Sequence, residues 1–290
     1  MGPIRKVRRS VELDESTFQA FETELERLEG NPSTEVLPAP EVVSPQRLPS
    51  DLKSSAAAEL SDSLLASCRP RKWVFDPDMT VCFGGGEHAH GAEEFRSLRS
   101  QLYRARKQQT LKSVLVTSAV SREGRSFVAF NLAQVLALQS ACRVLLIDAD
   151  LRTPRLHSAF GTTANPGLSE YLQQEAEEFA IMQRGSADGL FMIPAGRSVT
   201  GQTELIATGR LQFLIEQVES FFDWIIVDSP PAISVTDASL LSNSCDGVVL
   251  VVRSHSTPFD IVRKARERFR EESLVGVVLN NIPSKKHART

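Results

Sequence analysis

The sequence predicts an α/β fold, a mostly parallel β-sheet with helices on both faces, preceded by a largely disordered N-terminal tail. Three observations predict it. Short runs rich in Val, Ile and Leu recur from residue 113 onward: SVLVTS, RVLLIDAD, LFMIPA, DWIIVDSP, DGVVLVV and LVGVVLN. They are apolar throughout rather than alternating, which is the pattern of strands covered on both faces. Helical patterns such as FVAFNLAQVLALQ, ELIATGRLQFLIEQVES and FDIVRKARERFREE separate them, and strands joined through helices run parallel.

Taken in order, residues 1–70 read as a tail and linker. A Ser16-x-x-Gln19 capping box opens a segment with Phe18, Phe21, Leu25 and Leu28 at helical spacing, closed by Gly30-Asn31-Pro32, which predicts a short amphipathic helix over about 16–29. That helix is either a docking segment for a partner or part of a tail that packs on its own domain or stays disordered. NPSTEVLPAPEVVSPQRLPS has the composition of an extended linker, and a weaker helix follows in DLKSSAAAELSDSLLAS. The domain runs over 71–290. VFDPDMTVCF reads as a strand or extended entry, GGGEHAH as a loop, and EEFRSLRSQLYRAR as a helix burying Phe95, Leu98 and Leu102. His88 and His90 stand in that Gly-rich loop without further ligands, as solvated surface residues do.

Composition narrows the function classes. A chain of 290 residues with 41% hydrophobic residues holds one sizeable core with length to spare. Its net charge of -3 provides no general attraction to nucleic acid or anionic lipid, so no nucleic-acid partner is expected. Cys68, Cys82, Cys142 and Cys245 show no CxxC spacing, which argues against a zinc site or disulfide framework and fits a reducing cytoplasm. The start MGPIRKVRRS runs into acidic sequence rather than an apolar core, unlike a signal peptide. No apolar run approaches the about 18 residues of a membrane-spanning helix.

The chemistry concentrates where strands end. In a parallel sheet, ligands sit beyond the carboxyl ends of the strands, where TSAVSREGRS, IDAD and VDSPP fall. A phosphate loop works because backbone N–H groups and a helix N-terminus face anionic oxygens, with a lysine neutralising charge and a Ser or Thr hydroxyl on Mg²⁺. Against G-x-x-x-x-G-K-[ST], this chain offers Ala119, then Gly124, Arg125 and Ser126. The first glycine and the lysine are replaced. The two aspartate-ending strands nevertheless favour a nucleotide site over a plain strand-to-helix turn.

The series SVLVTSAVSREGRS, VLLIDADLRTPRLH and WIIVDSPPAISVTDA resembles the Walker A, Walker A′ and Walker B elements of the bacterial tyrosine kinases of capsule and exopolysaccharide synthesis. These are P-loop NTPases of the deviant Walker A type. EEFRSLR, NPGLSEYL, IPAG and GVVLNN are similar to that family's framework, and the resemblance spans about 90–283. It implies an ATP-dependent transfer of the γ-phosphate to tyrosine, with ATP and Mg²⁺ as cofactors. The implied nucleotide-binding residues are Ser121, Arg122, Glu123, Gly124, Arg125, Ser126 and Phe127. Ser126, Asp148 and Asp228 would hold the metal, while Asp148, Asp150 and Arg125 would act in catalysis, placing a base near an incoming tyrosine hydroxyl. Asn280 matches a position that touches adenine in related ATPases, or it caps a strand end. Glu93, Arg96 and Arg99 fit an E-x-x-R-x-x-R pattern at the family's ring contact, or form a solvated helix face with an ion pair. The resemblance further implies a transmembrane co-polymerase or chain-length-type partner, a homo-oligomer, and a cytoplasmic protein recruited to the inner face of the membrane without spanning it.

Two departures qualify the resemblance. The family usually has Pro-Gly before Glu-Gly-Lys-Ser, and this chain has Ser121-Arg122 before Glu123-Gly124-Arg125-Ser126. Arginine keeps the charge of lysine but replaces a compact ammonium by a planar fork. The family usually ends in a tyrosine cluster, whereas this chain has only Tyr103 and Tyr171 and ends NNIPSKKHART. A nucleotide-sensing pseudokinase is therefore the alternative reading, and a Min/Par-type positioning ATPase of the same fold is a third.

Overall fold

The computed structural model describes residues 11–12, 63–81, 89–185 and 189–281. The chain divides into two units, Asp14–Ser67 and the combination of Met1–Leu13 with Cys68–Thr290. Of the first unit, residues 63–67 are described, and they are helical, inside the weaker helix predicted there. The amphipathic helix predicted over 16–29, and His88 and Cys82, lie outside the described residues.

In the second unit all six predicted strands form. They are β3 (Ser113–Ser118), β4 (Val144–Asp148), β6 (Leu190–Ile193), β7 (Trp224–Asp228), β8 (Gly247–Arg253) and β9 (Leu274–Asn280). Three two-residue strands, β1 (Val11–Glu12), β2 (Arg69–Pro70) and β5 (Gln183–Arg184), complete the sheet order β1-β9-β8-β3-β7-β4-β6-β5-β2. The pairs β8–β9, β3–β8, β3–β7, β4–β7 and β4–β6 are parallel, and the antiparallel pairs β1–β9 and β5–β6 involve the short strands. β3 sits at the middle with every residue buried, which is why its sequence does not alternate.

The helix behind β3, α2 (Arg125–Ala137), is buried from Arg125 to Leu136; a helix apolar on all sides belongs inside a fold. α1 (Ala89–Gln108) covers it with Phe95, Leu98 and Leu102, all buried as predicted, and Phe95 meets Phe127 edge-on at 5.9 Å. The helix starts at Ala89, so His90 lies in its first turn rather than in a loop.

Of the two readings of VFDPDMTVCF, strand or extended entry, the described residues 74–81 take the second: Pro77 cannot donate to a ladder, and the segment turns at 77–79. Val74 and Asp76 instead donate to the carbonyls of Phe160 and Ala159 at 3.0 and 2.9 Å. Trp73 and Phe75 join Phe130 and Phe160 in an aromatic cluster with centroids 4.6–5.6 Å apart along Trp73–Phe160–Phe130–Phe75. The single helix expected over ELIATGRLQFLIEQVES is two, α6 (Gln202–Ala207) and α7 (Arg210–Val218). Between them Gly209 takes φ 74°, a left-handed conformation that ends one helix and starts the next. Short helices α3 (Leu156–Ala159), α4 (Leu168–Leu172), α5 (Glu178–Ile181) and α8 (Asp237–Ser242) are additional, and α9 (Phe259–Arg266) stops earlier than its pattern suggested. Cys68, Cys142 and Cys245 form no disulfide.

Candidate active site

The register of the sheet brings the three strand ends together. Asp148 of β4 stands directly opposite Asp228 of β7, and Asp228 is in turn opposite Val116 of β3, just before the loop that leads to α2. Thr117 and Ser118 tie that loop to its neighbours: the Thr117 hydroxyl donates to Pro230 O at 2.9 Å, and Ala232 N donates to Ser118 O at 2.8 Å.

The loop is shaped by two left-handed residues, Arg122 at φ 68° and Gly124 at φ 93°, the kind of backbone from which anion-binding concavities are built. Gly124 caps α2 without any side-chain acceptor, which leaves the first-turn N–H groups of Arg125 and Ser126 outside the helix's own ladder. A Cβ on Gly124 would lie 2.0 Å from Asn280 Nδ2, which explains why this glycine is needed. Asn280 Nδ2 donates to Glu123 O at 2.8 Å. The Glu123 side chain is buried and accepts from Val120 N at 2.8 Å, Arg253 N at 3.1 Å and the Thr257 hydroxyl. Glu123 and Asn280 thus fasten the loop to the ends of β8 and β9.

Of the other predicted loop residues, Ser121 and Arg122 are exposed, while Arg125 and Ser126 are buried. The Phe127 side chain points into the core, where it meets Phe95 edge-on. Arg125 is ion-paired to Asp150 Oδ2, both side chains being almost fully buried.

The three aspartates differ sharply. Asp150 is saturated: Oδ1 accepts from Arg152 N and Thr153 N at 3.2 and 3.0 Å, and Oδ2 accepts from the Thr153 hydroxyl at 2.9 Å and from Arg125. Asp148 is half used, since Oδ2 accepts from Arg155 N and Leu156 N at 3.2 and 3.0 Å while buried Oδ1 has no partner. Asp228 is unused, with both oxygens buried and unpartnered. Burial pushes Asp148 well above the ordinary carboxylate range, the charge of Asp228 adds to the rise, and the two backbone donors oppose it. Burial likewise pushes Asp228 to about 7, against the charge of Arg125 and the nearby Ser126 hydroxyl.

Three buried carboxylate oxygens without donors are costly unless a cation or a proton meets them. Ser126 at the start of α2 adds a hydroxyl beside Asp228. Among the described residues no group of three or more His, Cys, Asp or Glu side chains could hold a metal by itself. Two carboxylates and a hydroxyl instead fit an ion such as Mg²⁺, which keeps waters and takes phosphate oxygens as further ligands.

The predicted oligomer contact is not a uniform surface. Glu93 and Arg96 form an exposed ion pair at 2.7 Å, but Arg99 Nη1 donates to Val135 O at 2.8 Å and so serves the last turn of α2. A further set of residues was not read from the sequence. Arg152 donates to Asp237 Oδ2 at 2.7 Å and to Thr203 at 2.8 Å, and the Thr203 hydroxyl donates to buried Asp237 at 2.6 Å. The signal available was Thr236-Asp237, an acidic helix start shortly after the third motif.

A parallel sheet whose central strand feeds a phosphate-type loop into a buried helix, with two carboxylates at neighbouring strand ends, defines a P-loop NTPase. A family model described as ParA, NUBPL iron-transfer P-loop NTPase, matches residues 109–285. Tyrosine-protein kinase YwqD of Bacillus subtilis is 34% identical over 199 residues, covering 68% of this chain and 84% of YwqD. Tyrosine-protein kinase CpsD of Streptococcus agalactiae is 31% identical over 193 residues, covering 66% and 82%. This chain belongs to the bacterial tyrosine-kinase family of P-loop NTPases. The kinase domain of Escherichia coli tyrosine kinase ETK superposes with a TM-score of 0.64 at 29% identity, covering 69% of this chain and 79% of that one. The chimerical protein CapA2B2 gives 0.66 at 28% identity, covering 78% and 99%.

Proposed function

We propose that this chain is an ATP-dependent protein-tyrosine kinase that regulates capsular or exopolysaccharide assembly. The observation that carries the reading is the pair Asp148 and Asp228, opposite in register, with unpartnered buried oxygens beside Ser126. In this reading the N–H groups at the start of α2 and Arg125 bind the phosphates, Asp228 and Ser126 hold Mg²⁺, and Asp148 adds its charge beside the ion. When bound, the ion would neutralise charge on the β- and γ-phosphates. Asp148 Oδ1 is the acceptor for the tyrosine proton, because its second oxygen is held in place by two backbone donors. Asp150, whose oxygens are all engaged, orients Arg125. The backbone fastening by Glu123 and Asn280 keeps the loop rigid, which matters because phosphoryl transfer depends on positioning.

The remaining assignments belong to the same proposal. Residues 1–70 form a tail and 71–290 the kinase domain. Glu93 and Arg96 contribute to contacts between copies. A transmembrane co-polymerase recruits the chain to the inner membrane face; among the described residues no helix is long and apolar enough to cross a membrane. A test is transfer of labelled γ-phosphate to tyrosine by the purified chain with the cytoplasmic segment of such a partner. Transfer should occur and be lost in Asp148→Asn; no transfer to any tyrosine substrate would reject the reading.

The ion pair between Arg125 and Asp150 supports a second reading, a nucleotide-sensing pseudokinase in which the loop cation stays on Asp150. ATP turnover that Asp228→Ala abolishes would exclude it.

A further inference from the structure

Arginines dominate the exposed charges where the parallel strands β3, β4, β6 and β8 end, namely Arg122, Arg152, Arg155, Arg197 and Arg253, with Glu175 and Glu204 as exposed carboxylates near Arg197 and Arg152. The carboxylates of the same segments, Glu123 and Asp150, are buried and occupied by hydrogen bonds. This segregation occurs in a chain of net charge -3. Two of the five arginines are compensated, Arg152 by Asp237 at 2.7 Å and Arg197 by Glu175 at 2.6 Å. The side chains of Arg122, Arg155 and Arg253 make no ion pair or hydrogen bond among the described residues.

Those three differ in place. Arg122 lies in the phosphate loop, and Arg253 is held behind that loop through its N–H on Glu123, so both accompany the nucleotide. Arg155 follows β4, two strands from β3 in the sheet, and its N–H donates to Asp148 Oδ2 at 3.2 Å. An acceptor tyrosine that reaches Asp148 brings its flanking residues to the turn carrying Arg155. Neither Tyr103 nor Tyr171 is presented as an acceptor: Tyr103 donates to Gln139 at 2.5 Å within the fold, and Tyr171 is 2% exposed.

We propose that the phosphoacceptor is a tyrosine in an acidic segment of another protein, and that Arg155 pairs with a carboxylate beside that tyrosine. This rests on the kinase reading. In the transfer, the tyrosine oxygen bonds to the γ-phosphorus, and the bond from that phosphorus to the β,γ-bridging oxygen breaks. The hydroxyl proton passes to Asp148 Oδ1 and ADP leaves. A guanidinium suits the recognition because its planar fork can hold a carboxylate through two hydrogen bonds.

The test is binding of three labelled peptides to the full chain in Mg-ADP, each with one tyrosine flanked by glutamates, glutamines or lysines. The glutamate peptide should bind tightest, by about tenfold over the lysine peptide at low salt, with the gap closing as salt is raised. Arg155→Gln should remove the preference and Arg155→Glu should invert it, while Arg268→Glu, an exposed reversal on another segment, should leave the order unchanged. Equal binding of the three peptides, or an order that survives Arg155→Glu, overturns the proposal. The binding readout does not depend on turnover, so absence of phosphate transfer with the binding order intact rejects only the kinase reading.

Discussion

Asp228→Asn should make the nucleotide-free protein more stable while abolishing its Mg-nucleotide binding. Asp228 is fully buried with neither oxygen hydrogen-bonded, and burial raises it from 3.8 to about 7. The folded chain therefore keeps a proton over a range in which the unfolded chain has lost it. The stability contributed by this group is fully present below about pH 4 and is lost as pH rises through about 7. A rise of this size corresponds to about 4 kcal/mol at pH 8, and recovery of half of it by one substitution is about 2 kcal/mol. The neutral amide fills the same volume, so the melting temperature at pH 8 should rise by about 4 °C or more for a domain of this size. Thermal unfolding from pH 5 to pH 8 is the assay, and the gain should shrink toward pH 5, where the parent carboxyl is already protonated. An Asp228→Asn protein no more stable than its parent at pH 8 would refute the argument that this carboxylate is held for a ligand at the expense of the fold.

Nucleotide binding should show the same group from the other direction: with Mg-ADP, affinity should be about tenfold weaker at pH 6 than at pH 8, since a cation needs the deprotonated carboxylate, and a flat calorimetric profile would contradict this. Gly124→Ala should eliminate Mg-ADP binding and lower the melting temperature, because φ 93° and Asn280 Nδ2 at 2.0 Å both exclude a Cβ; unchanged binding would mean that the loop can rearrange at no cost. Asp150→Asn should destabilise by about 3 to 5 kcal/mol in denaturant unfolding, since it leaves Arg125 buried without its counter-charge. Combining it with Arg125→Met should recover part of that loss, and strictly additive effects would count against a direct pair.

The six long strands were legible because burial on both faces writes itself as unbroken apolar runs, as in SVLVTS and WIIVD. VFDPDMTVCF left strand and extended entry open because its apolar residues do different jobs, Phe75 packing on Phe130 and Phe160 while Val74 is exposed, and such packing has no period. The α6–α7 break needed Gly209 to be weighed against a strong helical pattern on either side. At the site, the motif residues were readable but their partners were not. That Asp150 is saturated while Asp228 is empty depends on backbone donors from residues 152 and 153, which a spacing pattern does not encode. Glu123 reads as a loop residue near phosphate, and its links to Arg253 and Thr257 come from strand order alone. The Arg99 pattern was visible, but its bond to Val135 required the crossing of two helices.

The bond between Asn280 and Glu123 joins residues 157 positions apart. A ribosome adding about 5 to 20 residues per second completes the loop sequence roughly 8 to 30 seconds before Asn280 exists to clamp it. Through that interval the growing chain contains the whole phosphate-loop sequence without its final fastener. The fully fastened loop therefore exists only after β9 has been made and docked, which makes it one of the last parts of the domain to be completed.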